Sequence, residues 1–313
     1  MAPRPRIAVF APDPLLAVAV EKRSDARDEL HLHAAGQGVW AARMAAALGG
    51  DPVLCGFVGG ETGEVVAGLL RPRIDLRLVT CGEPTGSYVV DRRRGREVLA
   101  EAHAGPRTRH EVDELLSVTT VAALDADVLV ICNPFPAETL PVDAYTQLVG
   151  DVHDSGTKVM VDLSTPRLDA ALEGRPDLVK INDWELAEFV YGPVDGIALR
   201  ESAERVRERG AETVVITRGG DSAVAFAPDG ATEVVPPIFA RGHREGCGDA
   251  MMGAMAVAIG RGDALPVALA LGAAAGAANF LRRGLGSASA EAVEELVPRV
   301  KLKPYVESQP ARA

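Results

Sequence analysis

The second half of the chain alternates short, strongly apolar segments with amphipathic ones, and this alternation limits the possible fold more than any other feature. The apolar segments start at about Asp127 and are rich in β-branched residues: DVLVICN, KVMVDLS, DLVKIN and TVVITRG. The segments between them, such as DAYTQLVGDVHDSG, WELAEFVYG and SAERVRERG, have the apolar spacing of helices. Because the apolar segments lack a polar face, we expect strands covered by helices on both sides. The pattern predicts βαβ units in a doubly wound, mostly parallel sheet.

In such a sheet the ligand site lies beyond the C-terminal ends of the strands. Those ends are therefore the first places to look for functional residues. They are Asn133, Asp162, Asn182, and Thr217 with Gly219.

The first third of the chain has a different pattern. Around DELHLHAAG and CGEPTGSYVVDRRRGREVLAEAHAG, short alternating segments join at charged turns, which is typical of antiparallel ribbons. We predict a single α/β domain over residues 1–313 with a small β-sheet lid formed from residues 12–35 and 76–104. The basic turn at residues 92–96 is expected to be a solvated hairpin tip, with a phosphate contact as the alternative.

Composition excludes several classes of partner. The 313 residues include 33 Lys plus Arg against 44 Asp plus Glu, a net charge of −11, which argues against a nucleic acid or an anionic membrane. The four cysteines form no C-x-x-C pair, and no signal-peptide core follows the N-terminus, so we expect a cytoplasmic protein. The uncharged run from Ala264 to Leu281 is mostly Ala and Gly and contains Pro266 and Asn279. A buried helix is expected there rather than a membrane span.

The sequence GCGD before a long apolar helix is the strongest chemical motif. Gly246, Cys247 and Gly248 would leave amide N–H groups unpaired at the helix start, where the dipole favours an anion. Asp249, in the first turn, has two interpretations. It is either a dipole-favoured helix starter, or a general base that takes the proton of a hydroxyl attacking a phosphorus held by those amides.

Two strand ends suggest a nucleotide and its metal ion. In KINDWEL, Asn182 and Glu185 could organise a hydrated Mg²⁺, which keeps several waters, although Glu185 could equally only open a helix. In TVVITRGGDSAVAF, Thr217 and Gly219 could lie along a nucleotide's phosphates or sugar, with a plain strand-turn-strand as the alternative.

The segment AAGQGVWAARMAAALGG contains Gly36-x-Gly38-x-x-Ala41, a superficial match to the dinucleotide fingerprint. The preceding segment has the pattern of a lid ribbon, and the following strand PVLCGFVGG ends in glycines with only Glu61 nearby. The fingerprint needs a first βαβ strand and an acidic residue at the end of the second. We therefore interpret these glycines as backbone that approaches a small polar ligand closely.

Taken in order, these stretches resemble the ribokinase-like (PfkB) carbohydrate kinases, closest to the branch of 1-phosphofructokinases and tagatose-6-phosphate kinases. The resemblance covers residues 7 to 300. The segments that carry it are AAGQGVWAARMAAALGG, CGFVGGETGEVV, KINDWEL, VITRGGDSAV and REGCGDAMMGA, the last resembling the family's G-A-G-D signature.

The resemblance implies a three-layer α/β sandwich with a β-sheet lid, ATP as donor, Mg²⁺ as ion, and a homodimer joined through the lid. It puts Asp249 on the family's catalytic base and Gly246, Cys247 and Gly248 on its anion hole. It puts the cofactor at Asn182, Glu185, Thr217, Gly219 and Asn279, with Mg²⁺ held through water by Asn182 and Glu185. It puts the acceptor at Gly36, Gln37, Gly38, Trp40, Asn133 and Arg244.

The departures from the family lie on the acceptor side. Ala17 stands where the family has an Asp that grips sugar hydroxyls, Gln37 replaces a Lys, and Gly86 aligns with a phosphate-gripping Arg. Trp40 would either stack on an acceptor ring or pack against the lid. Glu245, so close to the anion hole, is expected to point away from it. The phosphosugar grip is thus largely absent, because a neutral residue cannot replace the donors of an arginine.

The sequence therefore predicts an ATP-dependent kinase that acts on a hydroxyl of a sugar, sugar phosphate or related small molecule, with Asp249 as base. Two alternatives stay open: a nucleoside kinase of the same fold, and a non-catalytic regulator that binds a nucleotide or metabolite.

Overall fold

The computed structural model describes residues 4–23, 25, 27–134, 139–194, 197–282 and 288–307. Its strands are β1 (Arg6–Phe10), β2 (Leu15–Lys22), β3 (Asp28–Ala35), β4 (Asp51–Val58), β5 (Asp75–Thr80), β6 (Ser87–Asp91), β7 (Glu97–Ala102), β8 (Val128–Cys132), β9 (Lys158–Asp162), β10 (Leu178–Asn182), β11 (Thr213–Thr217), β12 (Ala223–Ala227), β13 (Gly230–Val235) and β14 (Lys301–Pro304). Its helices are α1 (Gln37–Ala47), α2 (Gly60–Leu70), α3 (Arg109–Leu124), α4 (Asp143–Asp154), α5 (Arg167–Glu173), α6 (Asp183–Val190), α7 (Ile197–Glu208), α8 (Cys247–Gly260), α9 (Leu265–Phe280) and α10 (Ala290–Leu296).

The larger sheet has ten strands in the order β14-β13-β12-β11-β10-β9-β8-β1-β4-β5. Neighbours from β11 to β5 pair in parallel, whereas β12, β13 and β14 add an antiparallel edge. Strands β8, β9 and β10 are buried along nearly their whole length, as a parallel sheet covered on both faces requires. The predicted mostly parallel α/β sheet is confirmed.

A separate apolar core lies on each face of this sheet. One core joins α1, α8, α9 and α10 through residues such as Met44, Met255 and Leu269. The other joins α3, α4, α5, α6 and α7 through residues such as Leu115 and Tyr145. The three layers are therefore helices, sheet and helices, as predicted.

The smaller sheet has four strands in the order β3-β2-β6-β7, and it is built from two distant segments of the chain. The pairs β2/β3 and β6/β7 are antiparallel, and β2 and β6 are joined in parallel. In the described chain the second segment of this sheet starts at Ser87, not at residue 76 as the sequence suggested. Residues 75–80 form β5, which pairs with β4 at the edge of the larger sheet. Because one face of this edge strand is exposed, its apolar and polar residues alternate, as they do in an antiparallel ribbon.

The long uncharged run forms α9, which packs on α8 and buries its Ala and Gly residues. Among the helices of the described residues, none is both long enough and apolar enough to cross a membrane.

Candidate active site

The start of α8 has the predicted geometry of a helix whose first amides face a ligand. Gly246 is the N-cap residue in the left-handed region, at φ 74°, a conformation that glycine adopts without steric cost. The Cys247 amide donates to the Arg244 carbonyl at 3.3 Å. The amides of Gly248 and Asp249 then remain at the helix start, without intrahelical acceptors. Of the amides predicted from GCGD to face an anion, that of Cys247 thus already donates to the preceding loop.

Asp249 is buried in this first turn, and its side chain belongs to a cluster of charged groups. Burial, and then the charge of Asp162, raise the pKa of Asp249 to about 7. The positive charge of Lys180 acts in the opposite direction. A carboxyl group with this pKa is half deprotonated near neutral pH, which is the range that suits a general base.

Lys180 is the central cation of the cluster, and sequence reasoning gave it no role. It projects from β10, is buried, and donates to Asp162 at the end of β9 at 2.5 Å. Burial alone would lower the pKa of Lys180, but the carboxylates of Asp162 and Asp249 raise it on balance. A Cβ at Gly248 would lie 2.9 Å from Lys180 Nζ. Any larger residue at position 248 would therefore displace the ammonium from the start of α8.

Asn182 and Glu185 form a reciprocal capping box at the start of α6. The Glu185 amide donates to Asn182 Oδ1 at 2.9 Å, and the Asn182 amide donates to Glu185 Oε2 at 3.2 Å. The alternative that Glu185 opens a helix is thus observed. Glu185 is nevertheless buried, and burial followed by the charge of Asp162 raises its pKa. Within the described ranges, no three His, Cys, Asp or Glu residues are grouped as a metal site.

A large cavity of about 830 Å³ lies on one side of the α8 start. Among its walls are the predicted cofactor residues Asn182, Thr217 and Gly219, together with Lys180, Cys247 and Gly248. Aromatic side chains complete the wall: Trp184, Phe239 and Phe280. The Thr217–Gly219 segment is the turn between β11 and the antiparallel β12, so this stretch is both a strand-turn-strand and a cavity wall.

Two predicted site residues do not line the cavity to which the sequence assigned them. Arg244, assigned to the acceptor, lines the large cavity, with its guanidinium 3.7 Å from the position that a Cβ at Gly219 would take. Asn279, assigned to the cofactor, is buried beside the loop before α8, and its side-chain amide donates to the Glu245 carbonyl at 3.1 Å. Its neighbours Gly276, Ala277 and Phe280 on α9 do line the large cavity.

A smaller cavity of about 210 Å³ lies on the other side of the α8 start, under the four-stranded sheet. The predicted acceptor residues Gly36, Gln37, Gly38, Trp40 and Asn133 all line it. Gln37 Oε1 accepts a hydrogen bond from the backbone N–H of Asn133 at 3.1 Å. This contact connects α1 to the end of β8. Trp40 also packs against the lid, which is the second of its two interpretations. Phe135 and Pro136, which follow Asn133 in the sequence CNPFP, lie outside the described residues.

Two sets of ion pairs beside the small cavity had no signal in the sequence. Arg107 Nη2 lies 3.3 Å from Asp13 Oδ1, and both side chains are almost fully buried. Arg92 and Arg96, from the basic turn, contact Glu245 at 2.8 and 3.0 Å. Glu245 therefore points away from the anion hole, as expected, but the basic turn is not simply a solvated tip.

The α8 start separates the two cavities. Glu245 lines the small cavity, whereas Cys247 and Gly248 line the large one. Asp249 follows at once and is buried beside Lys180. The residues around the start of α8 thus contribute to the walls of both cavities.

Comparison with known proteins agrees with this arrangement. Residues 15–292 match the model of the family described as pfkB family carbohydrate kinase. The 1-phosphofructokinase of Rhodobacter capsulatus is 28% identical over 236 residues, which cover 72% of this chain and 72% of that protein. The ATP-dependent 6-phosphofructokinase isozyme 2 of Escherichia coli (strain K12) is 28% identical over 232 residues, which cover 72% of this chain and 74% of that protein.

Solved structures show the same architecture. Phosphofructokinase-2 from Escherichia coli in complex with potassium superimposes with a TM-score of 0.84 at 24% identity, covering 94% of this chain and 99% of that one. Ribokinase from Arabidopsis thaliana, complexed with ribose and ATP, gives a TM-score of 0.76 at 18% identity, covering 94% and 99%. These similarities confirm the predicted ribokinase-like fold.

Proposed function

The protein belongs to the pfkB family of carbohydrate kinases, and from that premise we propose that it transfers the terminal phosphoryl group of ATP to a hydroxyl of a sugar-like acceptor, with Asp249 as general base. A single observation carries the assignment of the base. Asp249 is buried in the first turn of α8, directly after residues that line both cavities, and its pKa is raised to about 7.

The proposed reaction begins with the acceptor hydroxyl in the small cavity. Asp249 takes the hydroxyl proton as the oxygen attacks the terminal phosphorus of ATP, and the bond from that phosphorus to the ADP oxygen breaks. The amides of Gly248 and Asp249 and the ammonium of Lys180 stabilise the negative charge on the transferring group. All these groups come from strand ends and one helix start, so they are held rigidly before substrate binds.

ATP fits the large cavity by its chemistry. Lys180 and Arg244 supply positive charge, and Thr217 supplies a hydroxyl. Gly219, at φ 62°, keeps the turn free of a side chain. Trp184 and Phe239 offer apolar surface for a base. We assign the polyphosphate to the Lys180 and Gly248 side, because anions bind at helix starts.

Mg²⁺ fits the carboxylate side of the charged cluster around Lys180. Glu185 offers a buried carboxylate whose raised pKa indicates that a nearby cation would be favourable. Since Glu185 and Asn182 already cap α6, we propose that they hold Mg²⁺ through its waters. The ion would neutralise charge on the phosphates, as in other phosphoryl transfers.

The acceptor is proposed to be a sugar or a sugar derivative. The names of the relatives support this class: they include 1-phosphofructokinases and the ATP-dependent 6-phosphofructokinase isozyme 2. The cavity under the four-stranded sheet is lined by amide and carboxylate groups that can bind hydroxyls.

Replacement of the base tests this proposal. We expect Asp249→Asn to lower kcat by at least about a thousandfold, while ATP binding measured by calorimetry changes little, because the amide keeps the shape but accepts no proton. The matched control is Asp113→Asn, since Asp113 lies exposed on α3. ADP formation should be followed over sugars, phosphosugars and nucleosides. Full activity of Asp249→Asn would exclude the mechanism, and no stimulation by any acceptor would favour the regulator.

We also propose a homodimer joined through the four-stranded sheet. In the register of β2 and β3, Val18 pairs with Leu32 and Val20 with Leu30, so these four side chains share one face. Leu30 is 64% exposed and Leu32 is 48% exposed. An apolar sheet face of this kind is most simply covered by a second copy of itself.

A further inference from the structure

Three arginines beside the acceptor cavity are paired with carboxylates of the same chain. Arg92 and Arg96 both contact Glu245, at 2.8 and 3.0 Å. Arg107 contacts Asp13, at 3.3 Å. Of these three, Arg96 lines the cavity itself.

The charges in the cavity wall are therefore unfavourable for an anion. Among the described residues, the wall contains three carboxylates, of Asp13, Glu101 and Glu245, and one guanidinium, of Arg96. A phosphate ester carries about −1.5 to −2 charges at neutral pH. To pair with Arg92 or Arg96 it would have to displace Glu245.

A side chain at position 86, on the lid side, would be crowded. A Cβ there would lie 2.8 Å from Leu15 Cδ2 and 3.3 Å from both the Ala102 carbonyl and the Ala104 amide. Leu15 would have to move and the surrounding backbone to shift slightly before an arginine could stand there. The resemblance placed the family's phosphate-gripping arginine at this position.

The same wall suits an uncharged, hydroxylated ring. Trp40 and Tyr88 provide aromatic faces and Leu15 an apolar one, and the CH face of a sugar ring packs well on such surfaces. Carboxylates and amides accept hydrogen bonds from hydroxyls. At about 210 Å³ the cavity is smaller than the roughly 300–1,000 Å³ of pockets for drug-sized ligands.

We propose that the acceptor is an uncharged polyhydroxylated ring compound, and that Glu245 excludes phosphate esters by occupying Arg92 and Arg96. The inference rests on the proposed kinase function and refines it, since the sugar-phosphate kinases among the relatives would suggest the opposite acceptor. A free monosaccharide and a nucleoside are the two sources of such a ring.

The first test compares matched pairs on the wild-type enzyme. Fructose is paired with fructose 1-phosphate and fructose 6-phosphate, ribose with ribose 5-phosphate, and adenosine with adenosine monophosphate. Both kcat/KM, from ADP release and product mass, and the dissociation constant without ATP, from calorimetry, are measured. We expect an uncharged member to exceed its phosphate ester by about tenfold or more in both. The preferred uncharged compound, sugar or nucleoside, identifies the source of the ring.

The second test removes the negative charge of Glu245. Glu245→Gln keeps the shape but removes the carboxylate that Arg92 and Arg96 contact, so that a phosphate can compete for these guanidinium groups. The ratio of kcat/KM for phosphate ester over uncharged partner should rise about tenfold or more. The matched control is Glu101→Gln, which removes a carboxylate from the same wall but frees no arginine partner among the described residues. An equal gain in the control would overturn the role given to Glu245.

The outcomes separate this inference from the proposed function. If wild-type enzyme prefers a phosphate ester in turnover or in binding, the inference is wrong and the kinase function stands. If no compound is phosphorylated although an uncharged one binds, the kinase function fails and the inference about the cavity stands. If no uncharged compound binds or is phosphorylated, the inference is wrong as well.

Discussion

Asp249, the proposed base, has a pKa that depends on the charges around it. Its pKa of about 7 results first from burial and then from the nearby carboxylate of Asp162, while Lys180 opposes both. Because only the deprotonated form accepts a proton, we expect kcat/KM to fall about tenfold per pH unit below pH 7 and to level off above it. A pH profile with saturating ATP measures this acidic limb.

The cause of that limb can be tested by removing Asp162. Asp162→Asn deletes a charge that raises the pKa of Asp249 and leaves Lys180 to lower it, so the limb should move down by about one unit or more. Residual activity suffices, because the position of the limb is the measurement. The control is Asp113→Asn on α3. An unchanged limb in Asp162→Asn would mean that these two carboxylates do not interact.

The residues that could be predicted are those in short contiguous motifs. GCGD and the pair of Asn182 and Glu185 have a fixed spacing in the sequence, so they could be picked out as candidate site residues from local sequence alone. The contact of Arg92 with Glu245 joins residues 153 positions apart, and that of Arg107 with Asp13 spans 94 positions. No local sequence pattern predicts such ion pairs, because their two residues come together only in the folded chain.

At the scale of elements, the contact between α1 and α8 positions the two halves of the site. The first turn of α1 lines the acceptor cavity, and the first turn of α8 carries Asp249. Gly253 lies where the helices meet, and a Cβ there would be 2.2 Å from the Ala41 carbonyl oxygen. This approach involves backbone, which cannot move aside as a side chain can.

We therefore expect Gly253→Ala to lower the free energy of unfolding by about 1–3 kcal/mol and to raise the KM for the acceptor, because the two helices must separate. Urea denaturation and steady-state kinetics measure the two effects. The matched control is Gly68→Ala, in α2, where a Cβ would meet nothing within 4 Å. The control should gain up to about 1 kcal/mol from helix propensity. Equal stability of the two variants would contradict the close packing of α1 on α8.

The elements predicted correctly are those with an uninterrupted periodic signal. Strands β8 to β11 are apolar on both faces, so their type and order followed from the sequence. Strand β5 was mistaken for part of the lid because its burial alternates at the sheet edge. Strand β14 was missed because all four of its residues are exposed and it forms only by pairing with β13.

At the scale of the whole molecule, each of the two sheets borders a different cavity. The ten-stranded sheet presents strand ends to the large cavity, and the four-stranded sheet covers the small cavity. The contacts of Arg92 and Arg96 with Glu245 join the four-stranded sheet to the loop before α8. The sequence could indicate both sheets, but how they meet depends on ion pairs between distant segments.

The outer face of the four-stranded sheet provides the last prediction. If a second copy covers Leu30 and Leu32, then Leu30→Glu with Leu32→Glu should give a monomer in analytical ultracentrifugation, because two buried like charges per copy would face each other across a symmetric interface. The matched control is Val121→Glu with Leu124→Glu, since these residues are 64% and 54% exposed on α3, away from the lid. The control should keep the mass of the wild type. A wild-type monomer, or a dimer that persists in the lid variant, would place the interface elsewhere or exclude it.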